Sequence, residues 1–140
     1  MTRPVIEVVD DNEDIRRMLA LVLATQGYEV RVYPGGQAYL DAQPSEPPHV
    51  MLLDVRMPGM SGLELLARLK ERGDRIPVIF MSGESQPHET EAASASGAVH
   101  LLWKPFNTRQ LFDSIALGLA SGTKADNLAS GPASQTQARA

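Results

Sequence analysis

The sequence predicts an α/β domain with a doubly wound, five-stranded parallel sheet. Short apolar runs bounded by turn residues alternate five times with segments of helical periodicity. Strands that are apolar throughout are typical of parallel sheets that helices cover on both faces. Such an alternation of strands and helices builds these sheets through right-handed crossover connections.

The first two predicted elements are a buried strand and an amphipathic helix. Residues 4–9 form a largely β-branched run, but Glu7 interrupts it, and a charge inside a central strand is costly unless a partner compensates it. Asn12 is a suitable N-cap for the following helix, and Gly27 is a suitable stop. The apolar residues at helical spacing between them are Ile15, Met18, Leu19, Val22 and Leu23.

The middle of the chain is predicted as strand, helix, strand and helix. Residues 28–33 alternate apolar and polar side chains as a half-covered strand does, and a short helix is expected around 38–42. The apolar run 49–53 predicts a central strand. A third helix follows, with a core face that begins at Leu63 and an end at Gly73.

Two further strands flank a helix that the sequence supports poorly. Residues 76–81 and 97–103 are the fourth and fifth strand candidates. Residues 84–96 have helical composition but almost no large apolar side chain, so packing would hold the helix weakly. We therefore expect 84–96 to be mobile, and uniformly slow amide exchange there would contradict this.

The last predicted helix ends the folded domain. Asn107 or Thr108 can cap it. Its inward side chains are expected to be Leu111, Phe112, Ile115 and Leu119. Residues 122–140 are rich in small and polar residues without periodicity, which predicts a folded domain over 1–121 and a flexible tail or linker.

Composition narrows the range of functions. The chain has 140 residues, 43% of them hydrophobic, which suits one soluble domain with a core. A net charge of −4 gives no general attraction to nucleic acid or to anionic membranes. Without cysteine there is no disulfide or thiolate metal site, and neither a secretion signal nor a membrane-spanning run is visible. We expect a cytoplasmic protein.

Polar residues follow the predicted strands at the points where the strands end: Asp10, Asp11, Asp54, Ser82 and Lys104. The carboxyl ends of parallel strands share one edge, so these side chains can meet. Crowded carboxylates repel one another, and a hard divalent ion, most simply Mg²⁺, relieves the repulsion. Each residue alone is explained by a helix cap or a turn. Together they predict a site for phosphoryl oxygens, with Asp54 as the nucleophile.

These motifs closely resemble a receiver domain of a bacterial two-component response regulator. The resemblance covers roughly residues 4–120. It rests on the following motifs: the pair Asp10-Asp11, Asp54, the loop from Met57 to Gly62, Ser82-Gly83, Gly97-Ala98 and Lys104-Pro105-Phe106. It implies a flavodoxin-like receiver fold with the strand order 2-1-3-4-5.

The resemblance also implies a metal site. Asp11 and Asp54 would bind Mg²⁺ directly, together with the backbone carbonyl of Arg56, and Asp10 would act through water. The phosphoryl group on Asp54 would come from a sensor histidine kinase, a phosphotransfer protein or a small phosphodonor.

A switch around the phosphoryl group is implied as well. Lys104 would contact the phosphoryl group, Ser82 would move to hydrogen-bond it, and the Lys104-Pro105 peptide would be cis. The change would shift the surface around the fourth helix and fifth strand. The downstream partner is left open, as is a homodimer through that surface and the fifth helix.

One position departs from the family pattern, and two others are positions that in the family adjust the site. Leu101 stands where the family usually has Tyr or Phe as a second switch residue, so the coupling surface is expected to be weaker or differently built. Arg56 and Glu84 occupy positions that tune the lifetime of the phosphoryl group. An ion pair between them across the mouth of the pocket would shield it from water.

These residues favour one of three candidate functions. The leading one is a phosphorylation-controlled signalling switch that only phosphorylates and dephosphorylates itself and is not an enzyme for outside substrates. A phosphatase of the haloacid dehalogenase type needs an acid two residues after the nucleophile, where this chain has Arg56. A degenerate receiver acting as a phosphorylation-independent binding module commonly loses part of the acidic triad, which is intact here.

Overall fold

A computed structural model describes residues 3–42, 46–83 and 87–130 of the chain, with side chains of the last helix described as far as Gly122. Five strands alternate with five helices in these ranges. In chain order the elements are β1 (Val5–Val9), α1 (Glu13–Ala24), β2 (Glu29–Tyr33), α2 (Gly36–Ala42), β3 (Val50–Asp54), α3 (Gly62–Glu71), β4 (Val78–Ser82), α4 (Pro87–Ala95), β5 (His100–Trp103) and α5 (Thr108–Ser130).

The sheet is fully parallel, with the strand order β2-β1-β3-β4-β5. The predicted fold class and strand order are confirmed. The pairing register aligns the carboxyl ends of the central strands, because Val9 lies opposite Leu53 and Asp54 opposite Met81. Polar residues that follow these strands therefore share one edge of the sheet.

Helices cover both faces of the sheet and bury two apolar clusters. One cluster joins Met51, Leu53 and Phe80 to side chains of α2, α3 and α4. The other joins Leu52 and Ile79 to side chains of α1 and α5. Because alternate residues of a strand point to opposite faces, the continuous apolar strands supply both clusters. Full burial of one such side chain contributes about 1.5–3 kcal/mol to stability.

The charge inside β1 has the partner that the sequence analysis required. Glu7 is fully buried, and its Oε2 accepts a hydrogen bond from Arg31 Nη1 over 3.1 Å and one from the Tyr33 hydroxyl over 3.4 Å. Its Oε1 has no hydrogen-bond partner among the described residues. Burial raises the pKa of Glu7, while Tyr39 and Arg31 offset part of this rise.

Side chains cap the helices where the sequence predicted caps. Asn12 Oδ1 accepts the backbone N–H of Ile15 over 3.1 Å. Asn107, not Thr108, caps α5, because its Oδ1 accepts the N–H of Gln110 over 2.8 Å. Thr108 is the first residue of the helix.

Two details of the helices differ from the sequence prediction. Met18 shares the helical spacing of the apolar residues of α1, but it is 38% exposed because the buried stripe is centred on Leu19 and Leu23. Helix α5 continues to Ser130, past the expected start of the tail, and contains no proline that would end it earlier. Residues 131–140 lie outside the described ranges, and the boundary at 121 stays a prediction.

Helix α4 has the weak packing that its sequence indicates. Ala93 is its only residue classed as buried, and the helix contacts the edge strand β5. Residues 84–86 lie outside the description, and the mobility of 84–96 stays a prediction. None of the described helices has the length and apolar character needed to cross a membrane.

Candidate functional site

Four strands deliver polar residues to the carboxyl edge of the sheet. Asp54 and Ser82 are the last residues of β3 and β4, and Asp10 and Lys104 directly follow β1 and β5. The N–H of Lys104 donates to the carbonyl of Ser82 over 2.7 Å, which fixes the turn after β5 against β4. The structure brings these residues together at one edge of the sheet, and their roles stay predictions.

Three carboxylates meet at this edge. Asp10, Asp11 and Asp54 each offer one oxygen, and these oxygens all lie within 4.8 Å of one another. Asp10 and Asp54 are buried and Asp11 is exposed, so the cluster opens to solvent on one side. Asp10 is held by two further contacts: its Oδ1 accepts the N–H of Asn12, and its carbonyl accepts Arg16 Nη1.

Lys104 places a positive charge between two of the carboxylates. Its Nζ lies 2.9 Å from Asp10 Oδ2 and 3.6 Å from Asp54 Oδ1. The Lys104-Pro105 peptide is cis, as the sequence resemblance implied. The ammonium group therefore lies beside both carboxylates, where it can also contact an anion bound to Asp54.

The Asp54 carboxyl group is electrostatically strained by its neighbours. Its pKa is raised to about 7, chiefly because the group is buried and then because of the negative charge of Asp10; Lys104 offsets part of the rise and Asp11 adds to it. An ionised Asp54 is therefore favoured when a further positive charge enters the cluster. Three carboxylate oxygens at an open edge form a donor set of the kind that Mg²⁺ prefers, so the residues present fit a magnesium ion.

Helix α3 begins unusually close to Asp54. A Cβ atom at Gly62 would lie 2.1 Å from the backbone oxygen of Asp54, so only glycine fits there. The N–H of Gly62 also donates to the carbonyl of Val55 over 2.9 Å. Ser61 caps the helix through a reciprocal capping box with Glu64. Sequence reasoning noted Gly62 as a turn residue but not this close approach.

Among the described residues Arg56 pairs with Glu89, which the sequence analysis did not propose, and the pair with Glu84 stays a prediction. Arg56 Nε donates to Glu89 Oε1 of α4 over 3.0 Å. Glu84, the proposed partner, lies outside the described residues. Glu89 carried no sequence signal, because its role depends on how α4 packs against the β3–α3 loop.

The two proposed switch residues lie on adjacent strands. Ser82 is buried at the end of β4. Leu101 is half-buried in β5 and packs on the apolar cluster that contains Phe80 and Ala93. Their movement on phosphorylation stays a prediction, as does the backbone carbonyl of Arg56 as a metal ligand.

Comparison with protein families gives one match that spans most of the domain. Residues 6–116 match the family model described as "Response regulator receiver domain". This range contains the acidic cluster, strands β2 to β5 and all of β1 except Val5.

Curated relatives of the chain include transcriptional regulators. It is 40% identical over 107 residues to the DNA-binding transcriptional regulator NtrC of Escherichia coli K12, covering 76% of this chain and 23% of NtrC. It is 34% identical over 115 residues to the transcriptional regulatory protein FixJ of Rhizobium meliloti, covering 82% of this chain and 56% of FixJ. The chain thus spans about a quarter to about half of the length of these relatives.

Solved structures resemble the fold over most of its length. The crystal structure of FixJ-N superposes with a TM-score of 0.78 at 32% identity, covering 86% of this chain and 96% of the other. The chemotaxis protein CheY4 of Vibrio cholerae gives a TM-score of 0.75 at 28% identity, covering 82% and 98%. Nearly the whole of each of these two chains aligns with the fold described above.

Proposed function

The chain belongs to the response regulator receiver domain family, and from this premise we propose that it is a phosphorylation-dependent signalling switch of a two-component system, with Asp54 as the phosphoacceptor. One observation carries the proposal. The Asp54 carboxylate lies at the carboxyl edge of the sheet between two other carboxylates and the Lys104 ammonium. That arrangement suits a nucleophilic carboxylate whose product is an anion.

The chemical step needs only the groups of this site and a phosphodonor. An oxygen of ionised Asp54 attacks phosphorus, forms an acyl phosphate and breaks the bond to the donor, a phosphohistidine of a sensor kinase or phosphotransfer protein or a small molecule such as acetyl phosphate. The leaving group departs with the bonding electrons: the imidazole of phosphohistidine takes up a proton from solvent, and acetyl phosphate releases acetate as the anion. Hydrolysis later returns phosphate and the free carboxylate. Lys104 stabilises the negative charge on the phosphoryl oxygens throughout.

Asp11, Asp54 and, through water, Asp10 would hold Mg²⁺, with the carbonyl of Arg56 as a further ligand. When bound, the ion supplies positive charge that neutralises the phosphoryl oxygens and keeps Asp54 ionised. Asp10 and Asp11 thereby orient the cation, and Ser82 offers a hydroxyl to a phosphoryl oxygen.

We infer that the chain phosphorylates and dephosphorylates only itself and is not an enzyme for outside substrates. The haloacid dehalogenase type of phosphatase needs an acid at the position of Arg56, whose guanidinium is instead paired with Glu89. The complete acidic cluster also favours a phosphorylated receiver over a binding module that works without phosphate. Binding of DNA by NtrC is a property of that larger protein.

The proposal is tested by incubating the chain with acetyl phosphate and Mg²⁺ and measuring its intact mass. We expect the wild type to gain one phosphoryl group, and Asp54→Asn to gain none. Asp41→Asn, which removes an exposed carboxylate far from the strand ends, is the matched control and should behave as the wild type. Equal labelling of Asp54→Asn and the wild type, or no labelling of the wild type by acetyl phosphate or by a phosphorylated kinase, would overturn the proposal.

A further inference from the structure

An ion pair links the loop after Asp54 to the beginning of α4. Arg56, two residues after Asp54, donates from Nε to Glu89 Oε1 over 3.0 Å. Glu89 belongs to the first turn of α4, and its side chain is 22% exposed against 51% for Arg56. The pair therefore joins the loop beside Asp54 directly to α4, a helix in which only Ala93 is buried.

The two ends of α4 are anchored by different chemistry. At the carboxyl end, Lys70 of α3 donates to the backbone carbonyl of Ser96, and Ser96 Oγ donates to the carbonyl of Ala93 over 2.6 Å. At the amino end, the anchor is the ion pair between the side chains of Arg56 and Glu89. A new negative charge nearby competes directly for a guanidinium, and it leaves the backbone anchor in place.

A phosphoryl group on Asp54 would be such a competitor. It carries about two negative charges and three strong acceptor oxygens at neutral pH. Arginine binds phosphate oxygens in a bidentate manner, more strongly than it binds one carboxylate oxygen at the surface. The guanidinium also has room to move, because Arg56 and Glu89 border an open cavity of about 320 Å³ with Met57, Pro58 and Ser61.

We propose that Arg56 exchanges Glu89 for the phosphoryl group and so releases the amino-terminal half of α4. This inference rests on the proposed function of Asp54. Arg56 is then a positioning residue, because its change of partner on phosphorylation increases the mobility of α4. This exchange lets a polar side chain respond to the phosphoryl group, which Leu101 cannot do because it has no hydroxyl group.

Hydrogen exchange of α4 tests the restraint and its release in one experiment. Deuterium uptake of peptides spanning 87–95 is measured for the wild type, Glu89→Gln and Glu91→Gln, each with and without acetyl phosphate and Mg²⁺. Glu91 is exposed on the same helix and has no ion pair among the described residues, so Glu91→Gln is the matched control. Intact mass on the same samples reports the phosphorylated fraction.

Before phosphorylation, we expect α4 of Glu89→Gln to exchange about two- to fivefold faster than α4 of the wild type and of Glu91→Gln, the range typical of a lost exposed ion pair. Phosphorylation should raise exchange in the wild type to the level of Glu89→Gln and should leave that variant unchanged. Equal exchange in Glu89→Gln and Glu91→Gln, or a phosphorylated wild type with unchanged α4 exchange, would overturn the inference. Absence of a mass gain is a separate result that contradicts the proposed function itself.

Equilibrium binding gives a readout that a purely structural role would not change. If a phosphoryl group and Glu89 compete for Arg56, loss of Glu89 must favour the phosphoryl-bound state by the same factor. Beryllofluoride with Mg²⁺, a noncovalent mimic of an aspartyl phosphate, is titrated and followed by the fluorescence of Trp103, which adjoins Lys104. We expect Glu89→Gln to bind it about two- to fivefold more tightly than Glu91→Gln. Equal affinities would contradict the competition.

Discussion

Two buried carboxylates, those of Glu7 and Asp10, each pair with a cationic side chain. Glu7 pairs with Arg31 in the middle of the sheet, and Asp10 pairs with Lys104 at its edge. Glu7 also retains an oxygen without a hydrogen-bond partner among the described residues. Both pairs therefore make stability sensitive to single substitutions, because uncompensated buried charge is costly.

As pH rises, the wild type should lose stability relative to the Glu7→Gln variant. Burial raises the pKa of Glu7 above its ordinary value of 4.5, so the folded chain holds a proton that the unfolded chain has lost. The stabilisation from that proton is present below pH 4.5 and is lost as pH rises through the raised pKa. In that window the slope is about 1.4 kcal/mol per pH unit.

Urea unfolding of the wild type and Glu7→Gln at a series of pH values measures this effect. Glu29→Gln, an exposed carboxyl group 3.7 Å from the same arginine, is the control and should follow the wild type. A constant difference between the wild type and Glu7→Gln from pH 4 to pH 8 would show that Glu7 has no raised pKa.

Replacing Lys104 with methionine should destabilise the fold. The substitution leaves Asp10 buried without its cation, and removing one partner of a buried pair costs about 3 kcal/mol. The free energy of unfolding is measured in urea at pH 7 without divalent ions. Arg109→Met removes a cation from an exposed pair on α5 and should cause no measurable change. Equal stability of the two variants would contradict the account of the Asp10–Lys104 pair.

At the scale of secondary-structure elements, the start of α3 is the most tightly constrained connection in the site. Gly62→Ala should destabilise the chain by about 1–3 kcal/mol, because the added Cβ would collide with the backbone oxygen of Asp54. The same shift should slow phosphorylation by acetyl phosphate. Gly35→Ala is the control, since a Cβ there meets no atom within 4 Å. If both variants unfold at the same urea concentration, the close approach has no energetic consequence.

The sequence was informative about elements whose local signals agree with their packing. The apolar runs at 49–53 and 76–81 predicted β3 and β4 to within a few residues, because strands buried on both faces have no polar alternation to confuse the pattern. The cap at Asn12 was likewise visible as a local motif. The extension of α5 to Ser130 was missed, since small residues without periodicity do not distinguish a solvated helix from a linker.

Contacts between distant elements could not be predicted in the same way. Convergence of Asp10, Asp54 and Lys104 followed from the topology of a parallel sheet and was predicted. The Arg56–Glu89 pair and the approach of Gly62 to Asp54 depend on the orientation of helices against loops. No spacing rule in the sequence encodes that orientation.

For the whole molecule, Mg²⁺ should act as a stabilising ligand. A cation that binds only the folded cluster raises the free energy of unfolding by about 1.4 kcal/mol for each tenfold increase above its Kd. Asp11→Asn removes one carboxylate of the cluster and should abolish most of this dependence. Asp14→Asn, an exposed carboxylate on α1, should retain it. The measurement is the thermal unfolding midpoint of each variant over a series of Mg²⁺ concentrations. The same dependence on Mg²⁺ in both variants would contradict the proposed metal site.

The central claim is that one aspartate of this molecule carries the phosphoryl group, and its position can be read directly. Borohydride reduces an acyl phosphate on aspartate to homoserine, a stable mark that peptide mass spectrometry locates after treatment with acetyl phosphate and Mg²⁺. We predict homoserine at position 54 alone. Homoserine at another aspartate, or a fully phosphorylated chain with position 54 unmodified, would contradict the account.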